Sequence, residues 1–118
     1  MSDTYYEFGT AAERWDRAQF FFGSKEYTIA ARILGGLVEE APELVAPRLL
    51  LARSYYHSAR LVRAETELRE VLERDPVEQY ARLMLGRTLE RQGRQAEADT
   101  QLRMAAALSG DFTPAGSA

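Results

Sequence analysis

Arginines and aromatic residues, rather than catalytic groups, are the chemically distinctive side chains of this 118-residue sequence. Arg53 and Arg87 stand 34 positions apart, and Trp15 and Tyr56 fall on the same strip of side chains in the pattern described below. Tryptophan, tyrosine and arginine contribute most of the energy at protein interfaces. A guanidinium group pairs with a carboxylate through two parallel hydrogen bonds. These residue types therefore indicate recognition of an acidic partner.

The sequence lacks the groups that catalysis or metal binding needs. His57 is the only histidine, there is no cysteine, and there is no glycine-rich phosphate loop. Enzymes need convergent groups with tuned protonation, and transition-metal sites need clusters of histidine or cysteine. We therefore expect no enzyme activity, no metal and no cofactor, and we expect His57 to interact with the carbonyls at a helix end.

Charge and composition are typical of an ordinary globular protein. The chain has 15 basic and 18 acidic residues, and its net charge of -3 leaves RNA binding as a minor alternative, because RNA-binding proteins usually present a basic face. Of the basic residues only Lys25 is a lysine, which we attribute to codon usage in a GC-rich genome. Neither a signal peptide nor an apolar run of about 20 residues is present, so the expected location is the cytoplasm.

A repeat of 34 residues predicts the elements that position these side chains. The step links Ala18 to Ala52 and Gly86 without a gap. It divides the chain into units at about 11–44, 45–78 and 79–112. The same step links further sets of equivalent residues, namely Ala30, Ala64 and Ala98; Leu34, Leu68 and Leu102; Phe21, Tyr55 and Leu89; and Pro42 and Pro76.

The pattern predicts that each unit forms two helices, which pack closely through the small residues of the unit. The predicted helices span residues 11–23, 27–41, 45–57, 61–74, 78–91 and 95–108. Gly93 suits a left-handed cap, and Ser24 and Ser58 are expected to cap the second helices of their units. Gly35 and Gly36 lie inside a predicted helix, where they indicate either simple tolerance or a close helix approach.

These residues resemble the tetratricopeptide repeat family, whose unit is a helix–turn–helix of 34 residues. Unit three matches it at Leu85-Gly86, Leu89, Gly93, Ala98, Leu102 and Ala105, and unit two at Leu51-Ala52, Tyr55, Ala64, Leu68 and Pro76. Unit one departs from it, because Arg17 stands where leucine is usual. The resemblance implies an all-α solenoid of three repeats, with six antiparallel helices in a right-handed superhelix. It also implies that the first helix of each pair lines a concave groove.

Helical spacing predicts which side chains face this groove. Arg53 and Arg87 either bind an acidic ligand or pair with acids of the groove wall, such as Glu90. A peptide that carries a carboxylate with apolar flanks would suit such a surface. The predicted groove residues are Trp15, Gln19, Phe22, Leu49, Arg53, Tyr56, Tyr80, Leu83, Arg87 and Glu90.

Both ends of the chain carry separate expectations. We expect residues 1–10 to form an aromatic tail that caps the first repeat, or else to plug a groove, and we expect residues 113–118 to be disordered. The last helix leaves Met104, Ala107 and Leu108 uncovered, which predicts a homodimer unless Phe112 folds back over them.

The sequence therefore favours a protein-interaction module, an adaptor or scaffold that binds a peptide or partner protein in its concave groove. The alternative is a self-assembling homodimeric or oligomeric protein with no external peptide.

Overall fold

The computed structural model describes residues 6–110 and is helical throughout, with no strand in that range. The predicted all-α class is thereby confirmed, and all helix boundaries lie within one residue of the predicted ones. The helices are α1 (Ala11–Gly23), α2 (Tyr27–Glu40), α3 (Val45–His57), α4 (Leu61–Arg74), α5 (Gln79–Arg91) and α6 (Gln95–Ser109). Among these residues, no helix combines the length and the apolar character needed to cross a bilayer.

Each helix packs against the next one along the chain, and α3 also contacts α5. The molecule is elongated, with extents of 57 × 25 × 23 Å, as a solenoid requires. The small residues lie where the helices of a pair meet: Ala18, Ala30 and Ala64 are fully buried. At Gly86 an added Cβ would lie only 2.5 Å from Cδ2 of Leu102, so this approach needs the smallest residue.

The turns inside the three repeats share one backbone conformation. Lys25, Ala59 and Gly93 have φ values of 63°, 61° and 77°, which is the left-handed region that favours glycine. The expectation that Ser24 and Ser58 cap the second helices is wrong, since neither α2 nor α4 has a side-chain hydrogen bond at its N-cap. Ser58 instead donates to the Ser54 carbonyl over 2.8 Å, which satisfies the end of α3.

A second 34-residue pattern holds each helix pair together through an arginine. Arg48 donates to Oε1 of Glu67 over 2.8 Å and to the Pro42 carbonyl over 3.1 Å. Arg82 makes the corresponding bonds to Gln101 and to the Pro76 carbonyl. In the first repeat, Arg14 forms a bidentate ion pair with Glu40 of α2. These three arginines therefore have a structural role. The attribution of the high arginine content to codon usage did not predict this role.

In the described part of the chain no α-helix precedes α1, and the position equivalent to the buried leucines of the later repeats is occupied by Arg17. Leu51 and Leu85, the equivalents of Arg17, are buried against the preceding repeat. Arg17 instead donates to the carbonyls of Tyr6 (3.0 Å) and Phe8 (2.7 Å). Its guanidinium carbon also lies 4.1 Å from the Phe8 ring centroid.

The Tyr6 ring packs edge to face on Phe21, with centroids 5.3 Å apart. Residues 6–8 therefore lie against α1 on the side opposite Trp15, Gln19 and Phe22, and they do not plug this chain's own groove. Residues 1–5 lie outside the described range.

Gly35 and Gly36 do not mark a close approach between helices. Among the described residues, a Cβ at Gly35 would meet no atom of a neighbouring element within 4 Å, and one at Gly36 would meet the ends of Arg14 and Glu7 at 3.9 Å. The simpler interpretation, tolerance of glycine within α2, agrees with this open space.

Candidate partner-binding groove

Five of the ten predicted groove residues lie at two chemically different sites along the first helices of the repeats. The first site is formed by contacts between arginines and aromatic rings, and it includes Phe22, Arg53, Tyr56 and Tyr80. The second site is an apolar pocket that Trp15 lines. Gln19 is exposed between them, and Leu83 is half-buried. Leu49 packs against the core formed by the second and third repeats, so it belongs to the groove floor.

Arg53 brings all three repeats together. Its guanidinium carbon lies 4.7 Å from the ring centroid of Phe22 on α1 and 5.5 Å from that of Tyr80 on α5. Both distances lie within the range for attraction between a cation and an aromatic ring. Within residues 6–110, Arg53 Nε is buried without a hydrogen-bond partner, and the two rings flank the guanidinium group.

Further aromatic rings extend this site, here called the aromatic–arginine cluster. The Tyr27 ring stacks on His57 with centroids 4.8 Å apart, and Phe22 lies edge-on to both of these rings. His57 therefore stacks on Tyr27. The sequence-based expectation was different, namely that His57 would interact with the carbonyls at a helix end. The members of the cluster are Phe22, Tyr27, Arg53, Tyr56, His57, Tyr80 and Arg91.

Arg91 supplies a second cation at the edge of this cluster. Its Nη1 donates to the Tyr56 carbonyl over 2.9 Å, and its guanidinium carbon lies 4.7 Å from the Tyr56 ring centroid. Desolvation lowers the pKa of His57, and the positive charges of Arg53 and Arg91 lower it further. The positive charges of Arg53 and Arg91 beside these rings would favour a bound anion.

The two arginines that share one place in consecutive repeats have different partners. Arg87 donates to Oε1 of Glu90 over 3.0 Å. Of the two predicted alternatives, this arginine therefore follows the one in which it pairs with an acid of the groove wall. Within residues 6–110, by contrast, no carboxylate oxygen lies within 4.0 Å of the nitrogens of Arg53. The cluster thus holds a cation whose charge the described residues do not neutralise.

The second site is an apolar pocket of about 350 Å³ at the N-terminal ends of α1 and α3. Among the described residues that line it, Glu40 carries a charge, and Glu40 is the partner of Arg14. Leu44, in the loop before α3, is 51% exposed at its rim. The residues that line this apolar pocket are Ala11, Ala12, Trp15, Leu37, Glu40, Ala41, Leu44, Ala46 and Pro47.

Sequence reasoning missed Tyr27 and most of the apolar pocket. The groove prediction considered only the first helices, while Tyr27, Leu37 and Ala41 belong to α2 or its end and Leu44 to a loop. Tyr27 begins α2 directly after the α1 turn, and this proximity to Phe22 in the sequence was a usable signal.

The outer end of α6 is apolar where the equivalent parts of α2 and α4 are not. Met104 and Leu108 are 40% and 42% exposed, and Ala107 is exposed beside them. Phe112, which was considered as a cover, lies outside the described residues. The equivalents of Met104, Ala107 and Leu108 are Gly36, Glu39 and Glu40 in the first repeat and Glu70, Glu73 and Arg74 in the second.

Over residues 6–110 there is no group of three or more histidine, cysteine, aspartate or glutamate side chains that could hold a metal ion.

Comparison with known proteins connects this architecture to a family. No curated protein matches the chain. Among solved structures, MamA AMB-1 superimposes with a TM-score of 0.80 at 19% identity, over 84% of this chain and 59% of that one. MamA from Desulfovibrio magneticus RS-1, starting at its residue 41, gives 0.78 at 19% identity, over 86% and 57%. MamA MSR-1 gives 0.79 at 18%, over 83% and 56%.

This chain therefore spans somewhat more than half the length of those three structures, and the low identities establish the shared fold alone. The family assignment comes from the sequence, because the model of the family described as tetratricopeptide repeat matches residues 10–85. That match covers most of the chain and includes the first two repeats and the start of the third. The chain belongs to the tetratricopeptide repeat family.

Proposed function

We propose that this chain is a protein-interaction module whose concave groove binds a segment of a partner protein at the aromatic–arginine cluster. The observation that supports this most strongly is Arg53, a cation held between the rings of Phe22 and Tyr80 with no neighbouring carboxylate in the described chain. Packing against rings fixes the guanidinium in place, so little side-chain freedom is lost on binding.

The chemistry of the cluster favours a carboxylate on the partner. Arg53 and Arg91 are both cationic, and His57 with its lowered pKa is mainly neutral at pH 7. A carboxylate can accept two parallel hydrogen bonds from one guanidinium group, and the flanking rings can cover apolar groups beside it. The partner segment is therefore acidic with apolar flanks. No catalytic step belongs to this proposal.

Affinity capture with matched variants tests the proposal. The variant Arg53→Gln, Tyr56→Ala disrupts the cluster, while Arg103→Gln changes an exposed arginine on α6 far from it. We expect at least one protein captured by the wild type to be lost with the cluster variant and kept by the α6 control. An identical set of captured proteins with all three chains would overturn the proposal, provided that circular dichroism shows the cluster variant folded.

A second candidate function, self-association, is favoured by the outer end of α6. Met104 and Leu108 are apolar and half exposed at positions where the first two repeats carry charged residues or glycine. Sedimentation velocity on the full chain at rising concentration tests it. A dimer that the double variant Met104→Glu, Leu108→Glu abolishes would support this candidate, and a wild type that stays monomeric at every concentration would exclude it.

A further inference from the structure

The apolar pocket lies on the same side of α1 as the aromatic–arginine cluster, at the opposite end of that helix. Trp15 lines the pocket and Phe22 belongs to the cluster, and residues seven apart face the same direction on a helix. At the usual rise per residue they are separated by about 10 Å along the helix axis. One ligand segment can therefore contact both sites.

The apolar pocket would accept an uncharged side chain. Of the nine described residues that line it, eight are apolar, and Glu40 is already bound by both terminal nitrogens of Arg14. A volume of about 350 Å³ is at the small end of the range for ligand sites, which suits one or two aliphatic or aromatic side chains rather than a whole helix.

We propose that the groove recognises a two-anchor peptide motif, in which a large apolar side chain enters the apolar pocket and a carboxylate about three residues away binds Arg53. The spacing follows from the separation of the two sites, because a chain in the polyproline II conformation advances about 3.1 Å per residue and returns its side chains to the same face every three residues. This inference rests on the proposed function and adds to it a pocket, a ligand chemistry and a register. The carboxylate is assigned to the cluster because Arg53 and Arg91 are there, whereas the described residues that line the apolar pocket include no cation.

Two single residues report separately on the two sites. Trp15 is the only tryptophan, so its fluorescence reports on the apolar pocket, and His57 is the only histidine, so its imidazole NMR signals report on the cluster. The probes are capped synthetic peptides without tryptophan or histidine. The first contains leucine and aspartate with two glycine or serine residues between them, in both chain directions.

Matched peptides change one feature at a time. One replaces the aspartate by asparagine, one replaces the leucine by alanine, and one places leucine and aspartate side by side. We expect one two-anchor peptide to change the Trp15 and His57 signals with the same midpoint, and each matched peptide to bind about tenfold or more weakly. We also expect Arg53→Gln to weaken the aspartate peptide to the level of the asparagine peptide.

Different failures have different meanings. If the two-anchor peptide changes His57 but leaves Trp15 unaffected, the apolar pocket is not an anchor site and the inference is wrong, while the cluster remains the proposed binding site. If neither peptide direction changes either signal at about 1 mM, the two-anchor motif is equally excluded. The proposed function would be overturned only by the separate capture experiment, if captured proteins do not depend on the cluster.

Discussion

Arg94 donates from Nη1 to Oε1 of Glu65 over 2.8 Å, and this bond ties the turn before α6 to the preceding repeat. The same carboxylate oxygen accepts from Gln92, and Oε2 accepts from Arg69. Glu65 is 14% exposed at its side chain, so its bonds are poorly replaced by water. A single acid thus joins the second and third repeats.

Removing this acid is expected to destabilise the chain. Glu65→Ala leaves Arg94 and Gln92 without their shared acceptor, and the loss of charge-assisted bonds at a partly buried site costs about 2 kcal/mol. Urea unfolding followed by circular dichroism measures the change. Glu73→Ala, at an exposed acid of α4, is the control and should change the unfolding free energy little. Equal stability of the two variants would contradict the role of Glu65.

The same acid predicts a dependence of stability on pH. Burial raises the pKa of Glu65, but the hydrogen bonds from Gln92, Arg69 and Arg94 outweigh it and hold the pKa below its ordinary 4.5. Its stabilising contribution is therefore complete above the unfolded-state pKa and is lost as the pH falls through the lower folded-state value. Thermal unfolding of wild type and Glu65→Gln should differ at pH 7 and converge at strongly acidic pH. A difference that stays constant would contradict this.

The left-handed turn residues give a series of matched variants. Lys25→Gly and Ala59→Gly relieve the cost of a positive φ, which outweighs the added freedom of the unfolded chain, so each should stabilise by about 0.5–1 kcal/mol. Gly93→Ala should destabilise by a similar amount, since it places a Cβ in the same conformation. Denaturant unfolding of the three variants checks this, and destabilisation by the two glycine substitutions would contradict it.

Arg17 is expected to hold the N-terminal segment against α1. Arg17→Leu restores the residue typical of the family but removes the donors to the Tyr6 and Phe8 carbonyls. We expect faster proteolysis at residues 6–9 in the variant, with little change in the helical signal by circular dichroism. Unchanged cleavage would mean that the Tyr6–Phe21 contact suffices without Arg17.

His57 should respond to the charges beside it. Desolvation is the main cause of its lowered pKa, and the charge of Arg53 comes next. Arg53→Gln should therefore raise the pKa of His57 towards its ordinary 6.5 without fully restoring it. An NMR titration of this single imidazole measures the shift. No change, or a lower value, would show that Arg53 does not act on His57.

The 34-residue step made the helices predictable because every equivalent position repeats its packing role. The same step also connects Arg14, Arg48 and Arg82, so the arginines that brace the helix pairs could have been found from the sequence. Their acceptors were harder to identify, since two of them are the carbonyls of Pro42 and Pro76 rather than side chains.

The choice of partner for each groove arginine was not predictable from spacing. Arg53 and Arg87 occupy equivalent positions, yet one lies between rings and the other pairs with Glu90. The difference depends on which side chains the neighbouring repeats bring near, which are Phe22 and Tyr80 for Arg53. The apolar pocket was missed for a similar reason, because its walls come from α2, a loop and two first helices together.

The groove as a binding surface is tested most directly by comparing these two equivalent arginines. Titration calorimetry would measure the affinity of a captured partner for the wild type, Arg53→Gln and Arg87→Gln. We expect Arg53→Gln to weaken binding about tenfold or more, because it removes the unneutralised cation of the cluster, and Arg87→Gln to change the affinity less than about twofold. Equal affinities for Arg53→Gln and the wild type would contradict the account.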